Sequence, residues 1–236
     1  MRTGGRAILA VLLGATACAP GQLDEIARGL GLGGQALTEE RISDGLKEAL
    51  RVGTEKAVSL AAQPGGFSGN PRIRIPPPPG LKRMADTLRA VGLGRQVEEF
   101  ALSMNRAAEQ AAPQATAIFL DAITGMTFED ARRVLEGKED EATRYLEAKT
   151  LPRLTGLFRP VVQGSLDQVG VTRLYQDLTA RYVALPLVRR PDLDLGHYVT
   201  VKSLDGLFLL LAEEERRIRK DPAARVTALL REVFAR

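Results

Sequence analysis

Two stretches of the chain carry polar side chains at spacings that could do chemistry. In the first, Asn105 and Glu109 stand one helical turn apart. In the second, Lys202, Asp205, Glu213 and Glu214 recur along a run from Tyr198 to Asp221. Carboxylates held in different environments can divide the work of general acid and general base, and an amide beside them can orient a substrate. That chemistry requires the two stretches to converge in one cleft, with Gly206 leaving room for a ligand or a neighbouring helix. The same residues also fit a salt-bridged solvent face, because Glu213 and Arg217 have the spacing of a helical charge ladder. Such ladders are common on helices, which favours the second reading. Glu215 projects onto the apolar side of its helix, where a carboxylate needs a partner, and Arg219 is one turn away.

The remaining chemistry-bearing residues are few. The sequence has one cysteine, Cys18, and one histidine, His197. One of each cannot build a zinc site of several Cys and His ligands, nor an internal disulfide. His197 lies beside Asp194 near a helix start, a place where a lone histidine is usually structural or exposed. Arg72 and Arg74 flank Ile73 and could either grip anionic headgroups or pair with acidic helices. No catalytic set, cofactor or metal site emerges from these residues.

Composition narrows the classes further. Of 236 residues, 44% are hydrophobic but only 5% aromatic, with no Trp. The core must therefore be built from Leu, Val, Ile and Ala, which suits close helix packing. Formal charge is +4, from 33 basic and 29 acidic residues. Two of the basic residues, Arg2 and Arg6, belong to a leader, and without them the balance is 31 against 29, or +2. That is too even for a nucleic-acid partner.

The leader is read from three features. A basic start, Met1 to Arg6, precedes the apolar run Ala7–Leu13, which is too short to span a bilayer as a permanent helix. Small residues Gly14-Ala15-Thr16-Ala17 then lead directly into Cys18. This order resembles the lipobox of bacterial lipoproteins, in which the cysteine becomes lipid-modified and forms the new N-terminus. The usual Leu three residues before the cysteine is replaced here by Ala15, so cleavage at an ordinary small-x-small site is the alternative. Residues 1–18 are thus expected to be a signal peptide. Residues 19–37, rich in glycine, are expected to be a tether, and residues 38–236 a single all-α domain. The expected localisation is exported and periplasmic, with Cys18 as a membrane anchor.

Helical periodicity sets the elements that must position the polar residues. Thr38 is placed to cap a helix through Gln63, ended by Pro64-Gly65-Gly66. The segment from Phe67 to Ile75, followed by four prolines, predicts an extended arm or a small hairpin. Helices are then expected over Leu81–Val91, Arg95–Ala112 and Pro113–Thr124. A capping-box variant at Thr127 starts another, reaching Glu136. Shorter helices over Glu139–Lys149 and Leu151–Val169, the latter kinked at Pro160, precede Val171–Val183. A Pro-bounded loop spans Leu185–Leu193, and the last helices cover Asp194–Lys220 and Ala223–Phe234. In the first of these, Leu207 to Leu211 are apolar all round, the mark of a central helix. The fold expected is a multi-helix bundle, all-α and two-lobed in outline, with one extended Pro-rich arm.

Several of these stretches recur in one order that resembles a known family. They are ISDGLKEALRVGTEKAV (Ile42–Val58), GFSGNPRIRIP (Gly66–Pro76), MNRAAEQA (Met104–Ala111) and MTFEDA (Met126–Ala131). ATRY (Ala142–Tyr145), YVTVKSLDGLF (Tyr198–Phe208) and EERRIRKDP (Glu214–Pro222) complete the set. The chain resembles the bacterial domain of unknown function 4197 family over nearly all of residues 38–236. The resemblance implies an exported all-α protein and carries over no catalytic residues, since no activity is established for the family.

Three functions remain open at this point. The first is a non-catalytic envelope lipoprotein serving as a binding or scaffolding module, its partner an envelope protein or an apolar or anionic ligand. The second is a periplasmic enzyme using Glu109, Asp205, Glu213 or Glu214 as acid and base, with Asn105 orienting substrate. The third is a homo-oligomeric structural protein.

Overall fold

The apolar run Leu207–Leu211 lies in a helix at the centre of the structure. The structure is a computed structural model that describes residues 38–225 together with 227, 228 and 231. The leader with Cys18, the glycine-rich tether and most of the helix expected over Ala223–Phe234 lie outside the described residues. Among the described residues every regular element is helical.

Helix α1 (Glu39–Ala62) begins where Thr38 Oγ1 accepts a hydrogen bond from Arg41 N at 3.3 Å. After the arm, a 3-10 turn (Pro79–Leu81) opens α2 (Lys82–Ala90). Helix α3 (Gly94–Ala111) follows, and Pro113 turns the chain through a second 3-10 segment into α4 (Ala115–Thr124). Helix α5 (Phe128–Glu136) carries the expected capping box between Thr127 and Asp130. Helix α6 (Glu141–Gln168), α7 (Val171–Val183) and α8 (Leu195–Lys220) complete the bundle.

Helix α8 packs chiefly against α1 and α6. It is long and apolar enough to cross a membrane by length and composition, but most of its apolar window is buried inside the bundle. Helix α3 presents Ala101, Ala107, Ala108 and Ala111, all buried, so that neighbouring helices approach its backbone closely. The buried side chains form one contiguous core from Leu46 to Leu211, with a satellite at Ala49 and Ile218. The core is thus continuous across the described helices.

Two helices expected on either side of residue 150 are one. Helix α6 runs unbroken for 28 residues through both Pro152 and Pro160. Each proline lacks an N–H and frees the carbonyl four residues earlier, on Ala148 and Gly156. All four residues are exposed, so water can satisfy those carbonyls while Leu146, Leu154, Phe158 and Val162 hold the opposite face in the core. Burial of that face outweighs the local penalty.

Candidate functional site

The arm is where the polar residues of α3 meet the rest of the chain. It leaves α1 through consecutive turns from Pro64 to Ile73 and then runs extended to Pro78. Gly66 has no substitute there, since a Cβ would fall 2.4 Å from the carbonyl oxygens of both Leu60 and Ala61. Phe67, Ile73 and Ile75 enter the core, while Arg72 and Arg74 stay outside, following the alternation of their sequence.

Two side chains of α3 clamp this arm. Glu109 Oε1 accepts from Phe67 N and Ser68 N, both at 3.1 Å, and from Ser68 Oγ at 3.2 Å. Asn105 Oδ1 accepts from Ile75 N at 2.8 Å, and its Nδ2 donates to Ile75 O at 2.9 Å and to Ala101 O at 2.8 Å. Asn105 thus offers Ile75 the donor and acceptor pair that a neighbouring strand would supply. Both clamp residues are buried, where an unpaired backbone group would be costly. Helix α8 holds the arm from its other side. Tyr198 donates its hydroxyl to Pro76 O at 3.0 Å, and Arg72 Nη1 lies 2.6 Å from Glu213 Oε1. A Cβ at Gly206 would come within 2.8 Å of the Phe67 ring and 3.2 Å of Ile73 Cβ. The space at Gly206 is occupied by the chain's own arm.

The other polar residues of α8 go elsewhere. Lys202 Nζ and Asp205 Oδ2 pair at 2.9 Å on the exposed face, and that bond holds the lysine above its ordinary pKa. Glu214 is buried on the side facing Gly53 of α1 and pairs with Arg217. The structure therefore gathers Asn105, Glu109 and Glu213 around one segment, and leaves Lys202, Asp205 and Glu214 outside it. Beside the clamp a pocket of about 370 Å³ opens between Pro64, Ser68, Leu102, Arg106 and Gln110, with Glu109 in its lining. His197 donates its backbone N–H to Asp194 Oδ1 at 2.8 Å, the N-cap bond of α8, and its ring is exposed. Among the described residues no three His, Cys, Asp or Glu stand together as a metal site would need.

A second buried polar centre lies near the far end of α8. Arg219 Nη2 donates to Glu215 Oε1 at 2.9 Å, the pairing their spacing suggests. The pair also serves two helix ends. Glu215 accepts from Ala142 N at 3.0 Å, Thr143 N at 2.9 Å and Thr143 Oγ1 at 2.8 Å, capping the start of α6. Arg219 donates to Val134 O at 2.8 Å and Leu135 O at 3.4 Å, closing the end of α5. Asp140, the N-cap residue of α6, makes no cap with its own side chain, so Glu215 supplies the acceptor that Asp140 does not. Charges of these signs also suit the macrodipoles of the two termini. Sequence reasoning found the pair but not the termini it holds. Asp140 is itself a favourable N-cap residue type, so nothing local signalled that Glu215 would take its place.

Tyr145 ties α6 back to the start of α5, its hydroxyl 3.1 Å from Asp130 Oδ2. Burial, and then that bond, push the Tyr145 phenol up to about 12.

Asn105, Glu109, Glu215 and Arg219 all bond backbone groups of the chain itself, and define an all-α bundle with an arm strapped across it. The chain belongs to the family described as protein of unknown function (DUF4197), whose model matches residues 36–235. No curated protein and no solved structure matches the chain.

Proposed function

We propose that the protein is a cell-envelope lipoprotein, exported and held on the membrane through Cys18, that acts as a non-catalytic binding or scaffolding module. The leader motif from Arg2 to Cys18 supports the location. The observation that carries the non-catalytic part is the engagement of the candidate acid–base groups. Glu109 holds two arm amides and a hydroxyl, Glu213 meets Arg72, Glu214 meets Arg217, and Asp205 meets Lys202. A general acid or base must be within reach of a substrate proton, and these oxygens face internal partners. Acyl chains on Cys18 would hold the bundle at a bilayer surface, each buried CH₂ contributing about 0.8 kcal/mol.

Labelled fatty acid fed to the native host tests the anchor. The mature chain should carry label and stay with membranes through a high-salt wash, and Cys18→Ala should be unlabelled and released by that wash. A free thiol at Cys18 in the mature protein would sink the lipoprotein reading. Chemical crosslinking in intact membranes tests the scaffold, which predicts a defined second chain beside this one.

A further inference from the structure

The loop between α7 and α8 combines strain, bare apolar surface and unpaired positive charge. Leu187 has φ 64°, the one non-glycine residue with positive φ among those described. Left-handed backbone is unfavourable for leucine, and such outliers gather at functional sites. Its side chain is fully exposed, at 106% of its reference surface, and Val183 at the end of α7 is 43% exposed. Arg189 and Arg190 follow Leu187 in the same loop, Arg181 stands two residues before Val183 on α7, and Arg83 comes from α2. These four arginines are exposed and meet no carboxylate among the described residues. Of the acidic residues nearest along the chain, Asp177 and Asp192 form no ion pair among the described residues, and Asp86, one turn from Arg83, pairs with Lys82 and Arg89 instead. Arg83 and Arg189, far apart in sequence, line one pocket of about 350 Å³ with Leu187, Tyr182 and Pro191.

We propose that this end of the bundle docks on an anionic bilayer, with Leu187 entering the acyl boundary and the arginines meeting lipid phosphates. Guanidinium groups recognise phosphate through paired N–H donors, and their weak hydration suits an interface. A free anion would satisfy the arginines but leave Leu187 in water. A bilayer takes both, because its charged surface lies directly over an apolar interior. The docking does not depend on acylation of Cys18. It would orient a tethered bundle so that α7 and the start of α8 face the membrane.

The test uses the full chain carrying Cys18→Ser, so that no acyl chain contributes, and vesicle co-sedimentation. The vesicles are phosphatidylglycerol mixed with phosphatidylcholine, or phosphatidylcholine alone. Binding should favour the anionic vesicles and weaken as salt rises. Leu187→Gly keeps the left-handed turn while removing the side chain, and should weaken partitioning by about tenfold or more. Its thermal midpoint should stay level or rise, which separates lost docking from lost folding. Arg189→Glu with Arg190→Glu should weaken binding by at least about tenfold. The leader, with Arg2 and Arg6, is present in every variant, so it contributes equally when variants are compared on the same vesicles. If Leu187→Gly binds as the parent does, or if neutral vesicles bind equally well, the proposal is overturned. Loss in the arginine variant alone would mark a soluble-anion site and overturn it as well.

Discussion

Helix α5 is capped at both ends, and the two caps are built in opposite ways. At its start, Thr127 and Asp130 bond each other's backbone, Asp130 N to Thr127 Oγ1 at 3.1 Å and Thr127 N to Asp130 Oδ2 at 3.3 Å. Everything needed lies within four residues, near the surface. At its end, the carbonyls of Val134 and Leu135 wait for Arg219, which arrives from α8 already bonded to Glu215. The first cap stabilises a helix. The second joins the end of α5, the start of α6 and the central helix into one unit, so its loss should be felt across the bundle. The arm clamp belongs with the second kind, since Asn105 and Glu109 reach 30 and 42 residues back to backbone amides.

The comparison is broken most directly at Glu215. Removing it leaves the half-buried Arg219 without its charge partner and strips two amides of α6 of their acceptor. Glu215→Ala should cost about 3–5 kcal/mol of unfolding free energy, read by denaturant titration. Pairing it with Arg219→Met should recover part of that loss, because the uncompensated charge is then gone. A cost of about 1 kcal/mol or less would place this junction with ordinary surface pairs and end the distinction.

Asn105→Ala should come next. It orphans the N–H and C=O of Ile75 inside the core, and each buried unsatisfied group costs about 1–3 kcal/mol. A net loss of about 2–3 kcal/mol is expected, together with faster tryptic cleavage at Arg72 and Arg74 as the arm lifts. If stability falls while cleavage is unchanged, Asn105 supports α3 alone and the clamp is not a latch on the arm.

What the sequence discloses follows the same division. Local devices were legible: the Thr38 cap, the Thr127 box, the central run at Leu207–Leu211 and the alternation of Arg72, Ile73, Arg74 and Ile75. Each depends on neighbours within a turn or two. The unbroken course of α6 was hidden, because local rules weigh Pro152 and Pro160 as breaks and cannot see that both face water. The roles of Asn105 and Glu109 were half visible. An Asn at the edge of an alanine face suggests a backbone bond, but the chain that supplies the backbone lies 30 residues away. Gly206 invited a ligand in the sequence, and the structure fills its space with Phe67. The loop at Leu187 gave no signal, since positive φ at a leucine is fixed by the surrounding fold.

The local cap should give the smallest effect and the clearest dependence on pH. The Thr127 hydroxyl bond, then the Thr127 amide and the Tyr145 hydroxyl, hold the Asp130 carboxyl below its ordinary value, against an opposing push from burial. A carboxylate depressed in the folded state contributes stability that is present above its unfolded pKa. That contribution fades as pH falls through the lower, folded value. Thr127→Ala removes the largest cause and should cost about 1 kcal/mol at about pH 6. Below about pH 3 the gap between variant and parent should narrow, because protonated Asp130 no longer rewards the bond in either. Urea melts of both proteins across that range measure it. A gap that stays constant with pH would assign the cost to the hydroxyl–amide bond alone, and would remove the carboxylate from the local cap.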